Sequence, residues 1–167
     1  MSATTPQTRP ATSSLSSARS ARSTGSARSA RLLDTRPVWL VGVLATLAGA
    51  VVTEAFGLIA RGVGVPMEAA SPGATEAAEI PVGGFFGGVL FWSVVGIVLA
   101  VALARWAKRP ARTFVVTTVV LTALSMAGPA VAPHTATSTQ VVLAVSHLVA
   151  AAVIIPVVAR RLSHRRP

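Results

Sequence analysis

Residues 38–60 read VWLVGVLATLAGAVVTEAFGLIA, and this apolar run decides the fold. As a helix, these 23 residues rise roughly 35 Å, which is enough to cross a hydrocarbon core of about 30 Å. Comparable runs follow at residues 82–104, 113–132 and 140–159, each bounded by charged, proline or polar residues. A buried helix of a soluble protein is the alternative, but four such runs leave nothing soluble to surround them. The sequence therefore predicts an all-α fold, a four-helix transmembrane bundle over residues 38–162.

The composition of the chain also indicates a membrane protein. Of the 167 residues, 52% are hydrophobic and only 12% are charged, whereas about a quarter of the residues in a soluble domain are charged. The chain contains no cysteine, which excludes disulfides, thiol nucleophiles and thiolate metal sites. It also contains no phosphate-binding loop, nucleophile elbow or HExxH motif. We therefore expect no enzymatic activity, no cofactor and no metal.

Both ends of the chain are polar and basic. Residues 1–37 are rich in Ser, Ala and Arg and repeat the triplet Ser-Ala-Arg four times, so we expect a disordered tail. This segment lacks the apolar region of a secretory signal, although its composition leaves an organellar transit peptide as an alternative. Residues 163–167 form a second, short basic tail.

The charges of the connectors predict the topology, because Lys and Arg resist translocation across the membrane. Positive charge is concentrated in the N-terminal tail, in the second connector and at the C-terminus. The first connector, residues 61–81, carries one Arg and three Glu, and the third, residues 133–139, carries no formal charge. We therefore expect a multi-pass protein of the cell membrane with both termini in the cytoplasm. Trp39 and Trp106 are expected to be anchors at the cytoplasmic interface.

The lipid bilayer is the partner that this topology implies. The basic cytoplasmic segments should be attracted to anionic lipid head groups. They could in principle contact nucleic acid, but no aromatic side chains are interleaved with the charges, so no nucleic acid is expected. A second copy of the chain and a larger membrane protein remain open as protein partners.

Small residues within the spans predict close helix packing. In the first span, Gly, Ala and Thr recur at spacings of three and four and share one helix face. In lipid, the hydrophobic effect does not bring helices together, and van der Waals packing takes its place. Faces of small residues favour such packing because they let two backbones approach closely. The glycines expected at helix contacts are Gly42, Gly49, Gly57, Gly84, Gly88 and Gly96.

Glu54 and His147 are the ionisable side chains that lie well inside the spans. Counted from the outer ends of their spans, both are roughly 9 to 11 Å deep. Because burial disfavours a lone carboxylate, we expect Glu54 either to be protonated or to share a proton or a charge with His147. Ser125 and Thr122 are expected nearby, which gives a candidate intramembrane polar site. The favoured alternative is that these groups only make structural hydrogen bonds.

Two prolines fall within the last two spans. Pro129 and Pro156 each remove a backbone donor, and Pro156 frees the carbonyl of Ala152, so each proline predicts a kink. Prolines are common in membrane helices and require no functional explanation.

Several motifs between about Val38 and Leu162 resemble those of a known family. They are Pro66-Met67-Glu68, Glu79-Ile80-Pro81, Ala104-Arg105-Trp106-Ala107-Lys108-Arg109-Pro110, Thr122-Ala123-Leu124-Ser125 with Pro129, and His147-Leu148-Val149-Ala150-Ala151 with Ile155-Pro156 and Ala159-Arg160-Arg161. The motifs are similar to those of a family of small four-helix membrane proteins from high-GC bacteria, a domain of unknown function. The resemblance implies a multi-pass membrane protein, and it supplies neither catalytic residues nor a substrate.

Three classes of function follow from the sequence. The preferred class is a small structural or accessory membrane component. The alternative is a proton-coupled small-molecule transporter that uses Glu54 and His147, since small multidrug transporters also have four helices and an acidic residue in the first; this analogy is architectural. A membrane enzyme has the least support, because no set of nucleophile, base and orienting group is found.

Overall fold

The computed structural model describes residues 36–70 and 74–164, so the expected disordered tail lies outside the described residues up to position 35, as do residues 165–167. The described chain folds into helices and two short strands: α1 (Val38–Gly62), β1 (Glu68–Ala69), β2 (Ala78–Glu79), α2 (Gly84–Trp106), α3 (Pro110–Ser125), α4 (Ala127–Val131) and α5 (Thr137–Ser163). Helices α3 and α4 together form one span of 22 residues, and the described residues contain four spans that are long and apolar enough to cross a membrane. The predicted four-helix transmembrane bundle is confirmed.

The helices extend beyond the apolar runs that predict them. Helix α1 continues to Gly62, and α5 covers Thr137–Ser163 rather than residues 140–159. Helix α3 begins at Pro110, three residues before the predicted span, because a proline at the first helical position loses no hydrogen bond. Hydropathy marks the hydrocarbon core, whereas capping geometry sets the ends of a helix.

Helix α1 is the centre of the bundle. It packs against α2 on one side and against α5 on the other, and α3 packs against α5. Of the four neighbouring pairs, α2 and α3 are the least tightly packed. The buried face of α1 consists mainly of small residues: Val38, Val41, Gly42, Ala45, Thr46, Gly49, Ala50, Thr53, Gly57 and Ala60. Since these residues recur every three or four positions, they form one continuous stripe.

Three of the expected packing glycines lie at close helix contacts. A Cβ atom added to Gly42 would lie 3.0 Å from Ile97 Cγ1 of α2, and one added to Gly49 would lie 2.8 Å from Ile154 Cγ1 of α5. A Cβ atom on Gly57 would lie only 2.6 Å from Cδ2 of Phe85. The absence of a side chain at these positions sets how closely α2 and α5 approach α1.

The other three expected packing glycines do not lie at helix contacts. A Cβ atom on Gly88 or Gly96 would meet nothing within 4 Å, and one on Gly84 would meet Ile80 of the preceding connector rather than another helix. The physical reason is the orientation of α2, in which only Phe85 and Ala100 are buried. Most of the surface of α2 faces away from the bundle, so spacing alone overestimates its helix contacts.

The first connector forms a small hairpin. Strands β1 and β2 pair in antiparallel register, with Glu68 opposite Glu79. Arg61, in the last turn of α1, forms an ion pair with Glu79 at 2.9 Å and also donates to the carbonyl of Ile80. The backbone N–H of Ala70 donates to Thr135 Oγ1 at 3.1 Å. This bond joins the first connector to the third, and we call this side of the bundle the hairpin end.

The two prolines have different consequences. Pro129 lacks an N–H group and its ring obstructs the carbonyl four residues earlier, which is that of Ser125. Helix α3 ends at Ser125, and the short helix α4 continues the span after Met126. Pro156 also lies inside a helix, but α5 continues through it without a break.

We expect Gly57→Ala to lower the free energy of unfolding by about 1–3 kcal/mol, because the added methyl group overlaps the buried ring of Phe85. Thermal unfolding in detergent micelles measures the change. Gly88→Ala is the matched control, and we expect an effect within about 0.5 kcal/mol because that position has open space. Adding Phe85→Leu to Gly57→Ala should recover part of the loss. Equal melting temperatures for the two alanine variants would contradict this account of the contact.

Candidate functional site

Glu54 of α1 binds the N-terminus of α2. Its Oε1 accepts a hydrogen bond from the backbone N–H of Gly83 at 2.7 Å, and its Oε2 accepts one from the N–H of Phe86 at 3.0 Å. The first N–H groups of a helix have no partner within the helix, and they carry the positive end of its dipole. Gly83, the residue that precedes α2, has no side chain to cap them and adopts a left-handed conformation with φ of 87°. The carboxylate of Glu54 therefore takes the place of a side-chain cap.

An apolar contact lies beside this polar one. Phe85, between the two N–H donors in sequence, is buried against Gly57, three residues after Glu54 on α1. Phe85 belongs to a cluster at the hairpin end that also contains Ala60, Met67 and Val142. Residues at spacing three share a helix face, so one face of α1 supplies both the carboxylate and the gap that receives the ring.

His147 and the hydroxyl groups of α3 bond to their own helices. His147 Nδ1 lies 2.6 Å from the carbonyl oxygen of Leu143, one turn earlier on α5. Thr122 Oγ1 donates to the carbonyl of Thr118 at 2.8 Å, and Ser125 Oγ donates to that of Thr122 at 2.7 Å. Such bonds satisfy a hydroxyl group in an apolar environment without a partner on another helix.

The expected pairing of Glu54 with His147 is not observed. Within residues 36–70 and 74–164, these two side chains share neither a hydrogen bond nor an ion pair, and neither bonds to Ser125 or Thr122. The reason is that the N–H groups of Gly83 and Phe86 are the partners of the carboxylate. One signal for these donors was present in the sequence: the second span begins at two glycines, so its first N–H groups need an acceptor from elsewhere in the chain.

Three buried hydroxyl groups lack partners. In the part of the chain that the structure describes, Thr46 Oγ1, Thr53 Oγ1 and Thr139 Oγ1 are buried without a hydrogen bond. Two of them, Thr46 and Thr53, lie on the packed face of α1. An unpaired buried hydroxyl costs free energy, so close packing of α1 against its neighbours offsets an unfavourable term at these positions.

Positive charge collects at the end of the bundle opposite the hairpin, which we call the basic end. Seven of its described residues are cationic: Arg36, Arg105, Lys108, Arg109, Arg112, Arg160 and Arg161. No Asp or Glu lies at this end among the described residues, whereas the hairpin end carries Arg61 and three Glu. Trp39 and Trp106 are both exposed at the basic end, at the first turn of α1 and the last residue of α2. Arg161 Nε, in the last turn of α5, donates to the carbonyl of Arg36 at 2.7 Å and so joins α5 to the start of α1 at the basic end.

The described residues contain no group of three or more His, Asp or Glu side chains that could hold a metal ion. His147 and His164 each contact a backbone carbonyl of their own helix. His134 lies in the third connector with a φ of 51°. These three histidines are therefore spread over different parts of the fold.

Comparison with known proteins gives a family and no activity. A family model described as a family of unknown function (DUF6069) matches residues 33–164. The match covers all four spans and the three connectors between them, and it leaves out the N-terminal tail before residue 33. No curated protein and no solved structure matches the chain.

We expect Glu54→Gln to lower the free energy of unfolding by about 1–3 kcal/mol, because an amide keeps one acceptor oxygen and turns a donor toward the second N–H group. Thermal unfolding in detergent measures the loss. Glu76→Gln removes the same charge from an exposed side chain with no hydrogen bond or ion pair in the described structure, and it should change stability by less than about 0.5 kcal/mol.

The same measurement tests the bonding pattern of Glu54. The effects of Glu54→Gln and His147→Ala should add, since each side chain bonds to a different backbone segment. Strong non-additivity would mean that the two side chains interact directly, and would contradict the assignment of Glu54 to the N-terminus of α2.

Proposed function

The chain belongs to this family of unknown function, and from its own structure we propose that it is a small structural or accessory component of the cell membrane. The observation that carries the proposal is the bonding of Glu54. It is the one acidic side chain in the four described spans, and both of its oxygens bind backbone N–H groups of a neighbouring helix. A carboxylate that accepts these two bonds joins α1 to α2 and so has a structural role. No catalytic step, cofactor or metal is part of the proposal.

The proposed topology places both termini and the α2–α3 connector in the cytoplasm. It is supported by the seven cations at the basic end and by the acidic connector at the hairpin end. Positively charged connectors remain on the cytoplasmic side during insertion. The exposed indoles of Trp39 and Trp106 then lie at the cytoplasmic interface, where an aromatic ring contacts lipid and its N–H reaches water.

The proposed partners follow from the same surfaces. The lipid bilayer covers the exposed apolar side chains of the spans, and anionic lipid head groups are attracted to the basic end. A second copy of the chain or a larger membrane protein is the proposed protein partner. Nucleic acid is not part of the proposal.

A proton-coupled transporter is the second candidate, and one observation favours it. Glu54 is an ionisable carboxyl group inside a span, and its side chain is only half-buried by the rest of the protein. Carriers of organic cations use such a group to exchange a proton for a substrate. The two candidates differ in what the carboxylate does, and a flux measurement separates them.

Flux into proteoliposomes under an imposed pH gradient should be the same with and without the protein, across a panel of organic cations and small neutral solutes. This result is expected because the carboxylate of Glu54 is bonded within the bundle. Proton-coupled uptake that Glu54→Gln abolishes, and that Glu76→Gln leaves intact, would overturn the structural proposal in favour of transport.

Single cysteines should report the topology cleanly, because the chain contains no cysteine of its own. The Thr75→Cys substitution places a cysteine in the acidic first connector, and the Ala107→Cys substitution places one in the basic second connector. A membrane-impermeant maleimide should label Thr75→Cys in intact cells, and should label Ala107→Cys only after the membrane is permeabilised. The reverse pattern would show that the proposed orientation is wrong.

A further inference from the structure

A crevice lies between the four spans, in the half of the bundle near the basic end. Its volume is about 60 Å³, which is space for about four groups of the size of a water molecule or a methylene. All four spans contribute to its lining: Gly42, Thr46, Ser93, Gly96, Ile97, Phe114, Thr118, Ile154, Ile155 and Val158. The crevice is partly open to the outside, and the loosely packed pair α2 and α3 forms the weakest side of the bundle around it.

The lining suits an apolar occupant better than water. A buried water needs two to four polar partners. The hydroxyl of Thr118 already donates to the carbonyl of Phe114 at 2.7 Å, and Thr46 Oγ1 is buried too deeply for a water in the crevice to contact. Apart from Ser93 and two glycines, the remaining lining consists of Phe114 and four aliphatic side chains, so a water there would have few polar partners. A short stretch of hydrocarbon therefore fits the chemistry of the crevice.

The crevice lies close, along α3, to a cluster of cations. Phe114 follows Arg112 by two residues on α3, and the connector between α2 and α3 contains Lys108 and Arg109. These side chains are exposed, and no acidic residue accompanies them among the described residues of the basic end. The N-terminus of α3 adds unpaired backbone N–H groups, since Arg109 provides no side-chain cap. The contact between α2 and α3, together with their connector, is called the α2–α3 seam. It combines cationic side chains at the basic end with an apolar crevice between the spans.

We propose that the α2–α3 seam is a binding site for one anionic glycerophospholipid, whose phosphate contacts Lys108, Arg109 and Arg112 while part of an acyl chain occupies the crevice. The proposal deepens the attraction of anionic lipid to the basic end and rests on the proposed function only for the choice of leaflet. It differs from surface attraction in two ways: the site holds one lipid for each chain, and its occupancy depends on the shape of the crevice as well as on charge.

The first test distinguishes binding of one lipid at this site from non-specific electrostatic attraction of anionic lipid to the basic end. The purified full chain in detergent is titrated with dioleoyl phosphatidylglycerol or dioleoyl phosphatidylcholine, and native mass spectrometry counts the lipids retained. One phosphatidylglycerol should bind each chain in preference to phosphatidylcholine. Arg109→Gln with Arg112→Gln should weaken this binding by about tenfold to thirtyfold. Arg165→Gln with Arg166→Gln removes the same charge from the C-terminal tail and should leave the binding unchanged.

The second test fills the crevice and keeps every charge. Gly96 lines the crevice and has open space beside its Cβ position, so Gly96→Leu places a side chain where the acyl chain is proposed to lie. We expect roughly fivefold weaker retention of phosphatidylglycerol, because van der Waals packing drives association within lipid. Gly88→Leu is the matched control on the same helix, also with open space, and should bind as the wild type does. Should Gly96→Leu fail to fold, Ser93→Leu fills the same crevice.

Three results would overturn the lipid site: equal retention of the two lipids, equal loss in both double arginine variants, or normal retention in the folded crevice variants. Detergent micelles have no inside or outside, so these results do not depend on topology. Maleimide labelling that reversed the orientation would refute the proposed topology and leave the lipid site standing in the other leaflet. Failure of the lipid site would leave the labelling and flux results unchanged.

Discussion

The bond between the carboxylate of Glu54 and the N-terminus of α2 is the constraint on which the bundle depends. An acidic side chain at the centre of a membrane helix costs about 2.5–3.5 kcal/mol, and the N–H groups at the start of a helix cost free energy when they have no acceptor. The hydrogen bonds from Gly83 and Phe86 to the two carboxylate oxygens reduce both costs, because the carboxylate gains donors and the N–H groups gain an acceptor. Phe85 enters the gap at Gly57 as a result, so the start of α2 is fixed in both depth and rotation.

The sequence predicts the number and type of the spans well, because an apolar run of about 20 residues has few other structural solutions. Partners between helices are harder to predict, because they depend on rotation about the helix axis. Gly57 and Gly88 are equivalent as small residues in a span, yet one receives the ring of Phe85 and the other faces open space. Glu54 illustrates the same limit: its depth could be counted along the helix, but its donors belong to a backbone whose position depends on the packing of α2.

Tertiary context also decides the effect of the two prolines. The same chemical defect accompanies the end of α3 at Ser125, four residues before Pro129, and leaves α5 continuous at Pro156. Helix α5 is held along its length by α1 and α3, and its residues Val158 and Leu162 are buried in the cluster at the basic end. Around Pro129 the other four residues of α4 are exposed, and the missing hydrogen bond coincides there with a break in the helix. Packing therefore determines where a lost donor changes the path of the chain.

The bond from Ala70 to Thr135 has a consequence for how the bundle deforms. It fastens the connector of the α1–α2 pair to the connector of the α3–α5 pair at the hairpin end. At the opposite end, α2 and α3 are joined by a three-residue connector and pack loosely along their length. At the basic end the two helical pairs are also held together, by the bond from Arg161 to Arg36 and by the packing of α1 against α5. The α2–α3 contact can therefore open without breaking the bonds that join the two pairs at either end.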